Sequence, residues 1–207
     1  MKQSIIYLTI IFMSISTSFA QMKKIENAES FVKKMGQNSS SVKSIESDFK
    51  QIKHIEAFNQ DFVSSGKFYY RVNDKICLNY VVPKPYRIVI NSNKIKVESD
   101  GKKNVMNLKD NKQMQEMQNM LSVCMTGNLS NISKDYRMEF YEDEQSYLIT
   151  VKPVNEGTNK YMLDVYLNKK DMSVDKLRIS ESESDYTEYI FSNKKINTLN
   201  NDTFFKI

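Results

Sequence analysis

Apolar and polar residues alternate along most of this chain, and in two places the spacing lengthens to that of a helix. Over residues 23–36, Ile25, Ala28, Val32 and Met35 fall at i, i+3, i+7 and i+10, one stripe of a 3.6-residue period. Gly36 stands where such a helix would stop, ahead of the polar run QNSSS. The second stretch is residues 111–127. There Met114, Met117, Leu121 and Cys124 repeat the spacing, Met125 adjoins the stripe, and Gln, Glu and Asn fill the other face. Gly127 occupies a C-cap position.

Elsewhere the period is two. SDFKQIKHIEAF carries Phe49, Ile52 and Ile55 as apolar members, imperfectly spaced for one strand face. In DFVSSGKFYYRV, Phe62, Phe68, Tyr70 and Val72 share a face. After the polar turn NDK, Ile76, Leu78, Tyr80 and Val82 share one on the return strand, which is a hairpin signature. KPYRIVI and NKIKVES follow on either side of NSN, and Asp100-Gly101 marks a turn before KNVMNL. After the second helix come YRMEFYE, SYLITVK, KYMLDVYLN, VDKLRIS and DYTEYIFS, then a polar NKKINTLNND and a final TFFKI. About ten strands and two helices predict a mainly β fold. The sheet would be an open, incomplete antiparallel β-barrel, its concave apolar face covered by a helical lid.

The first 20 residues follow another logic. Lys2 is a positive n-region, Ile5 to Ile15 is nearly all apolar, and Ser18-Phe19-Ala20 offers small residues at −3 and −1. This predicts a secretory signal peptide over 1–20, cleaved after Ala20, too short and wrongly flanked for a spanning helix. Residues 21–207 then form a single domain, large enough to bury a core. Position 21 is Gln, so cleavage leaves no cysteine to carry a lipid. Removing Lys2 changes 30 Lys and Arg against 25 Asp and Glu into 29 against 25, a net +4. These charges are interspersed rather than gathered in a stripe, which argues against nucleic acid as a partner. Cys77 and Cys124 are the only cysteines. Export permits their pairing, and their apolar neighbours suit two buried thiols equally well.

Catalysis finds little support. His54 is the single histidine, and nothing near it suggests an activated nucleophile. There is no CxxC pair, HExxH run or GxxxxGK[ST] loop, so no metal site and no nucleotide cofactor is signalled. Carboxylate runs such as YEDEQ and ESESD suit solvated turns. The aromatic alternation says more: Phe68, Tyr70, Leu78 and Tyr80 would line one hairpin face as core or as a cavity wall. The methionines suit an adaptable cover, because a flexible, polarizable side chain repacks around different partners.

Several of these segments together resemble the LolA-type periplasmic carriers of outer-membrane lipoproteins. The matching features are Phe49-Lys50-Gln51 as an F-x-Q core, Gly66 before Tyr69-Tyr70, and Leu78-Asn79-Tyr80 followed by Pro85 and Ile88 to Ile90. Asn193, Ile196-Asn197 and Phe204 resemble the family's closing pattern, so the likeness spans the whole mature chain. It implies a lipid-binding cavity at Phe49, Phe68, Tyr70, Leu78, Tyr80, Ile88 and Ile90. The lid would carry Val32, Met35, Met114, Met117, Leu121 and Met125. The family's lid-tethering arginine falls on Arg71, although the VNDK turn here is longer. The resemblance further implies a monomeric periplasmic protein, not an enzyme, that takes up lipoprotein acyl chains. An inner-membrane lipoprotein-releasing transporter would load it and an outer-membrane acceptor would unload it. Two other readings stay open: a secreted sensor or structural module of the same fold, and a carrier for a different lipid.

Overall fold

The computed structural model describes residues 22–39, 41–73, 75–110, 118, 136–154 and 161–207. Residues 1–20, expected to be a signal peptide, lie outside them, as do Met114, Met117, Leu121, Cys124 and Met125. Within 111–127 only Gln118 is described; it is helical and 4% exposed, whereas the pattern put it on a polar face.

Among the described residues, twelve strands form one antiparallel sheet. They are β1 (Lys23–Lys24), β2 (Ser44–Ile55), β3 (Gln60–Arg71), β4 (Lys75–Val82), β5 (Tyr86–Asn91), β6 (Lys94–Ser99), β7 (Lys102–Asn107), β8 (Tyr136–Glu142), β9 (Ser146–Pro153), β10 (Met162–Asn168), β11 (Val174–Ser180) and β12 (Tyr186–Ile196). Their order is β1-β8-β9-β10-β11-β12-β2-β3-β4-β5-β6-β7, so two meanders join where β12 pairs with β2. β1 and β7 end the order, and the sheet is not closed into a barrel. Hairpin chemistry explains the tight connections: Asp100 and Gly101 both have positive φ, 49° and 74°, as a type I′ turn requires.

Helix α1 spans Ala28–Ser39, and it differs from the expectation at both ends. Lys23 and Lys24 pair with β8 instead of starting the helix. Asn27 caps it, accepting the Ser30 N–H on Oδ1 at 2.9 Å. Gly36 does not end it, and the helix runs on to Ser39. Its principal buried side chains are Phe31 and Met35, with Val32 half-buried. Phe31 packs against Phe140 and Tyr147 at ring separations of 5.3 and 4.9 Å, so α1 covers the β8–β9 part of one sheet face.

That face holds a contiguous core from Phe31 through Val165, Leu177 and Phe49 to Ile95. Phe68 on β3 meets Phe191 on β12 at 5.1 Å although β2 lies between them, so the sheet curls toward this side. The outer face carries a smaller core of Tyr69, Cys77, Val89 and Phe205. It is made by the C-terminal segment, which crosses β3 to β5. Phe204 stacks on Tyr69 at 3.9 Å, and Asn91 Nδ2 donates to the Phe205 carbonyl at 2.9 Å. Cys77 is a free, buried thiol under this segment, its pKa pushed up by burial and partly offset by the Arg87 Nε–H that donates to Sγ at 3.3 Å.

Arg71 belongs to the outer face. It alternates with Tyr70, and its guanidinium bonds the Leu199 carbonyl and lies 2.8 Å from Asp202. It therefore tethers the C-terminal segment. Lys75 bonds the same carboxylate at 2.6 Å. Together the Lys75 hydrogen bond and the Arg71 charge hold the Asp202 carboxyl below its ordinary value of 3.8. A lowered carboxyl contributes stability above its unfolded value and loses it as pH falls through the folded one. Hydrogen exchange at 199–206 is therefore expected to speed up below pH 3.8 in the wild type, and to be weakly pH-sensitive there in Asp202→Asn. Equal acid sensitivity in both proteins would refute the assignment.

Candidate functional site: the concave face

Strand register turns the concave side into rows of side chains, since residues directly paired across strands share a face. The first row is Ile45, Tyr70, Ile76, Ile90 and Ile95, all buried. The second is Ser47, Phe68, Leu78, Ile88 and Val97, in which Ser47 and Phe68 are buried and the three aliphatic residues half-buried. The third is Phe49, Gly66, Tyr80, Tyr86 and Ser99, and beyond it Gln51 lies opposite Tyr189 of β12. The seven positions assigned to a cavity, Phe49, Phe68, Tyr70, Leu78, Tyr80, Ile88 and Ile90, thus share one face. They split by depth: Tyr70 and Ile90 lie among the buried isoleucines, whereas Leu78 and Ile88 present apolar surface that the fold leaves partly uncovered.

A glycine organises the third row. A Cβ on Gly66 would run into the Asn79 carbonyl oxygen and lie 2.9 Å from the Tyr80 Cα. Without one, the Phe49 and Tyr80 rings meet edge-on across it at 4.9 Å. Tyr80 stacks on Tyr86 at 3.9 Å, and its hydroxyl interacts with those of Tyr86 and Tyr189. Burial pushes the Tyr80 phenol far up, so the cluster is neutral at any physiological pH. Gln51 Oε1 and Ser47 Oγ are shielded from solvent and lack a hydrogen-bond partner among the described residues.

At this same end the β2–β3 hairpin overhangs β4. Val82 pairs with Ser65 after a bulge at Ser65/Gly66, which takes it out of the face shared by Ile76, Leu78 and Tyr80 and leaves it exposed. Phe58 follows β2 in a short 3₁₀ turn and meets Phe62 edge-on at 6.3 Å, the two being 66% and 44% exposed. A groove of about 430 Å³ opens nearby, lined by Asn79, Tyr80, Pro85, Tyr86, Arg87 and residues 98–101. The concave side therefore grades from buried aliphatic residues at one end to hydroxyls, an amide and exposed aromatics at the other.

Sequence reasoning missed Gln51 as a polar group of this face, and also Tyr86, Val97 and Tyr189. Tyr189 reaches the cluster only because β12 closes onto β2, and no local pattern announces that pairing. His54 lies on the outer face, 2.8 Å from Asp61 and stacked on Tyr186 at 5.3 Å, outside the concave cluster. No group of three potential metal-ligating side chains occurs among the described residues, and no helix there is long and apolar enough to cross a membrane.

The closing motif has a structural meaning. Asn197, with φ 60°, accepts the Lys43 and Ser44 N–H groups on Oδ1 at 2.7 and 3.1 Å, fixing the start of β2. Asn193 sits in the β12 bulge and donates to Asp48 at 2.7 Å. With Lys67, that bond holds the Asp48 carboxyl below its ordinary value.

Comparison with known proteins matches this architecture. No curated protein matches the chain by sequence. A LolA-superfamily protein from Nitrosomonas europaea is similar at 8% identity and TM-score 0.44, over 85% of this chain and 97% of that one. The MucA/MucB complex of Pseudomonas aeruginosa is similar at 11% identity and TM-score 0.50, over 86% of this chain. This chain spans only 60% of that one. The Mycobacterium tuberculosis lipoprotein LppX is similar at 9% identity and TM-score 0.46, over 86% of this chain and 99% of that one. At such identities the likeness concerns the fold alone. The family model described as outer membrane lipoprotein carrier protein LolA matches residues 40–207, from just before β2 to the last residue. This chain belongs to the LolA family.

Proposed function

We propose that the protein is an exported carrier, not an enzyme, that holds the acyl chains of lipoproteins, or of a similar lipid, against its concave face. It would ferry them through the periplasm from inner to outer membrane. The observation that carries the reading is the row Leu78, Ile88 and Val97: aliphatic, central in the concavity and only half-buried. Soluble folds bury such a row or replace it with polar residues unless it meets a ligand. Each methylene removed from water is worth about 0.8 kcal/mol, so an acyl chain needs a surface as apolar as the bilayer to leave it. Transfer onto such a surface is close to isoenergetic, which suits a chain without a nucleotide motif.

In this reading residues 1–20 are removed after Ala20 and 21–207 work as a monomer. A lipoprotein-releasing transporter at the inner membrane loads the protein, and an acceptor at the outer membrane unloads it. A second reading, a module that binds a partner protein, draws on the fold shared with MucB, seen in complex with MucA. Mass spectrometry of lipid copurified under native conditions separates the two.

The direct test is Leu78→Glu. A charge on the concave face opposes an apolar ligand strongly, and a half-buried site tolerates it in the empty protein. Affinity for an apolar fluorescent probe should fall at least about tenfold with the far-UV spectrum unchanged. Unfolding of Leu78→Glu would make Leu78 plain core and remove the main support for a cavity.

A further inference from the structure

β3 pairs with β2 along its whole length but with β4 only from Ser65 onward, so the β2–β3 hairpin projects beyond β4. Phe58 and Phe62 are exposed at its tip, and Val63, Val81 and Val82 add exposed apolar surface at the same end. A soluble fold gains nothing from such a cluster unless something covers it. The arm is braced: His54 Nδ1 lies 2.8 Å from Asp61 across the hairpin, and the Glu56 N–H donates to Asp185 at 2.8 Å. Strand parity puts Phe62 on the side of the sheet that carries Gly66, Phe68 and Tyr70. The exposed rings therefore continue the concave face outward to its rim.

Two features decide what covers them. A convex tip without a rim of its own cannot exclude water against a rigid surface, whereas a fluid bilayer closes around it. The charges agree. Lys53 and Lys84 stand against Glu56, Asp61 and Asp185, so no cationic excess singles out anionic lipid or an acidic protein partner. On the β4 side, the main chain of residues 60–64 has no strand partner among the described residues, which limits entry to the wet headgroup boundary. We propose that the β2–β3 hairpin is a membrane-docking arm, with Phe58 and Phe62 entering the surface of a lipid bilayer. Docking by this arm sets the rim of the concave face against the membrane. The inference rests on the carrier reading and adds to it a direct contact between this chain and lipid.

The test uses protein recovered after export and protein-free vesicles, either of phosphatidylcholine alone or of phosphatidylethanolamine with phosphatidylglycerol. The protein should sediment with both, with little dependence on salt. The chain has no tryptophan, so Phe58→Trp introduces a single reporter. Its emission should shift to the blue on adding vesicles, and lipids brominated near the headgroup should quench it more than lipids brominated near the chain ends. In Phe58→Ser/Phe62→Ser the vesicle-bound fraction relative to free protein should fall at least about tenfold, while an apolar fluorescent probe still binds in solution. The quenching depth reads the arm even if the double variant fails to fold. Binding that needs phosphatidylglycerol and vanishes in salt would overturn the proposal, as would binding that survives the loss of both rings. Docking only on vesicles that carry membrane proteins would identify a protein partner and overturn it too. Absence of vesicle binding strikes the arm alone, whereas absence of probe binding in the wild type strikes the carrier reading.

Discussion

Gly66→Ala is expected to lower the thermal midpoint by roughly 6 to 12 °C and to disrupt the concave face. The added Cβ meets backbone, the Asn79 carbonyl and the Tyr80 Cα, and backbone in a paired sheet cannot swing aside as a side chain can. Overpacking of this kind costs about 1–3 kcal/mol, with the upper end applying where the obstacle is main chain. At about 2–4 °C per kcal/mol for a domain of this size, that gives the stated range. Because the methyl would stand beneath the Phe49–Tyr80 contact, probe binding should weaken too. Gly36 supplies the control: nothing lies within 4 Å of its missing Cβ, and it sits inside α1. Gly36→Ala should be neutral or stabilising, as helix propensity favours alanine over glycine by about 1 kcal/mol. Calorimetry of the two variants decides the matter. A Gly66→Ala midpoint within about 2 °C of wild type would show that the β3–β4 pair adjusts freely.

The contrast between these glycines illustrates what the sequence reveals. Period-two alternation located most strands because one face of each is buried, and a one-residue slip would reverse every side chain. It also identified Phe68, Tyr70, Leu78 and Tyr80 as sharing a face. Arg71 was legible by the same parity, since it alternates with Tyr70 and so must face outward with Tyr69. The family motif, rather than the alternation, suggested the lid role. Val82 was not legible, because a bulge that shifts register leaves no mark on the local pattern. Nor was the polar half of the site. Gln51, Tyr86 and Tyr189 meet through pairings set by the order of twelve strands, and an amide in a strand looks like any solvent-facing residue until the curl of the sheet encloses it. Phe31 was overlooked because the stripe was drawn through Ile25, Ala28, Val32 and Met35 alone, whereas the buried face of α1 is wide enough to take in Phe31 as well.

The C-terminal segment shows no periodicity at all, and its weight is expected to emerge from Phe205→Ala. Phe205 is 1% exposed and fills the outer-face core between Tyr69, Cys77 and Val89. Truncating a buried phenylalanine costs about 3–5 kcal/mol through lost transfer energy and the cavity left behind. Here the loss should fall near the lower figure, because the segment can detach and let water fill the space. The midpoint should drop by roughly 6 to 12 °C, and a second readout follows from position. Cys77, fully buried in the native protein, loses its cover. In a Cys124→Ser background its labelling by a thiol reagent should therefore accelerate well before global unfolding. Phe204→Ala removes a ring that only stacks on Tyr69 and should act in the same direction, more weakly. Probe binding on the concave face should survive both changes, since the sheet separates the two cores. Unchanged Cys77 labelling in Phe205→Ala would mean that the strands themselves, not the C-terminal segment, shield the thiol. Loss of probe binding would mean that the outer core sets the curvature on which the concave site depends.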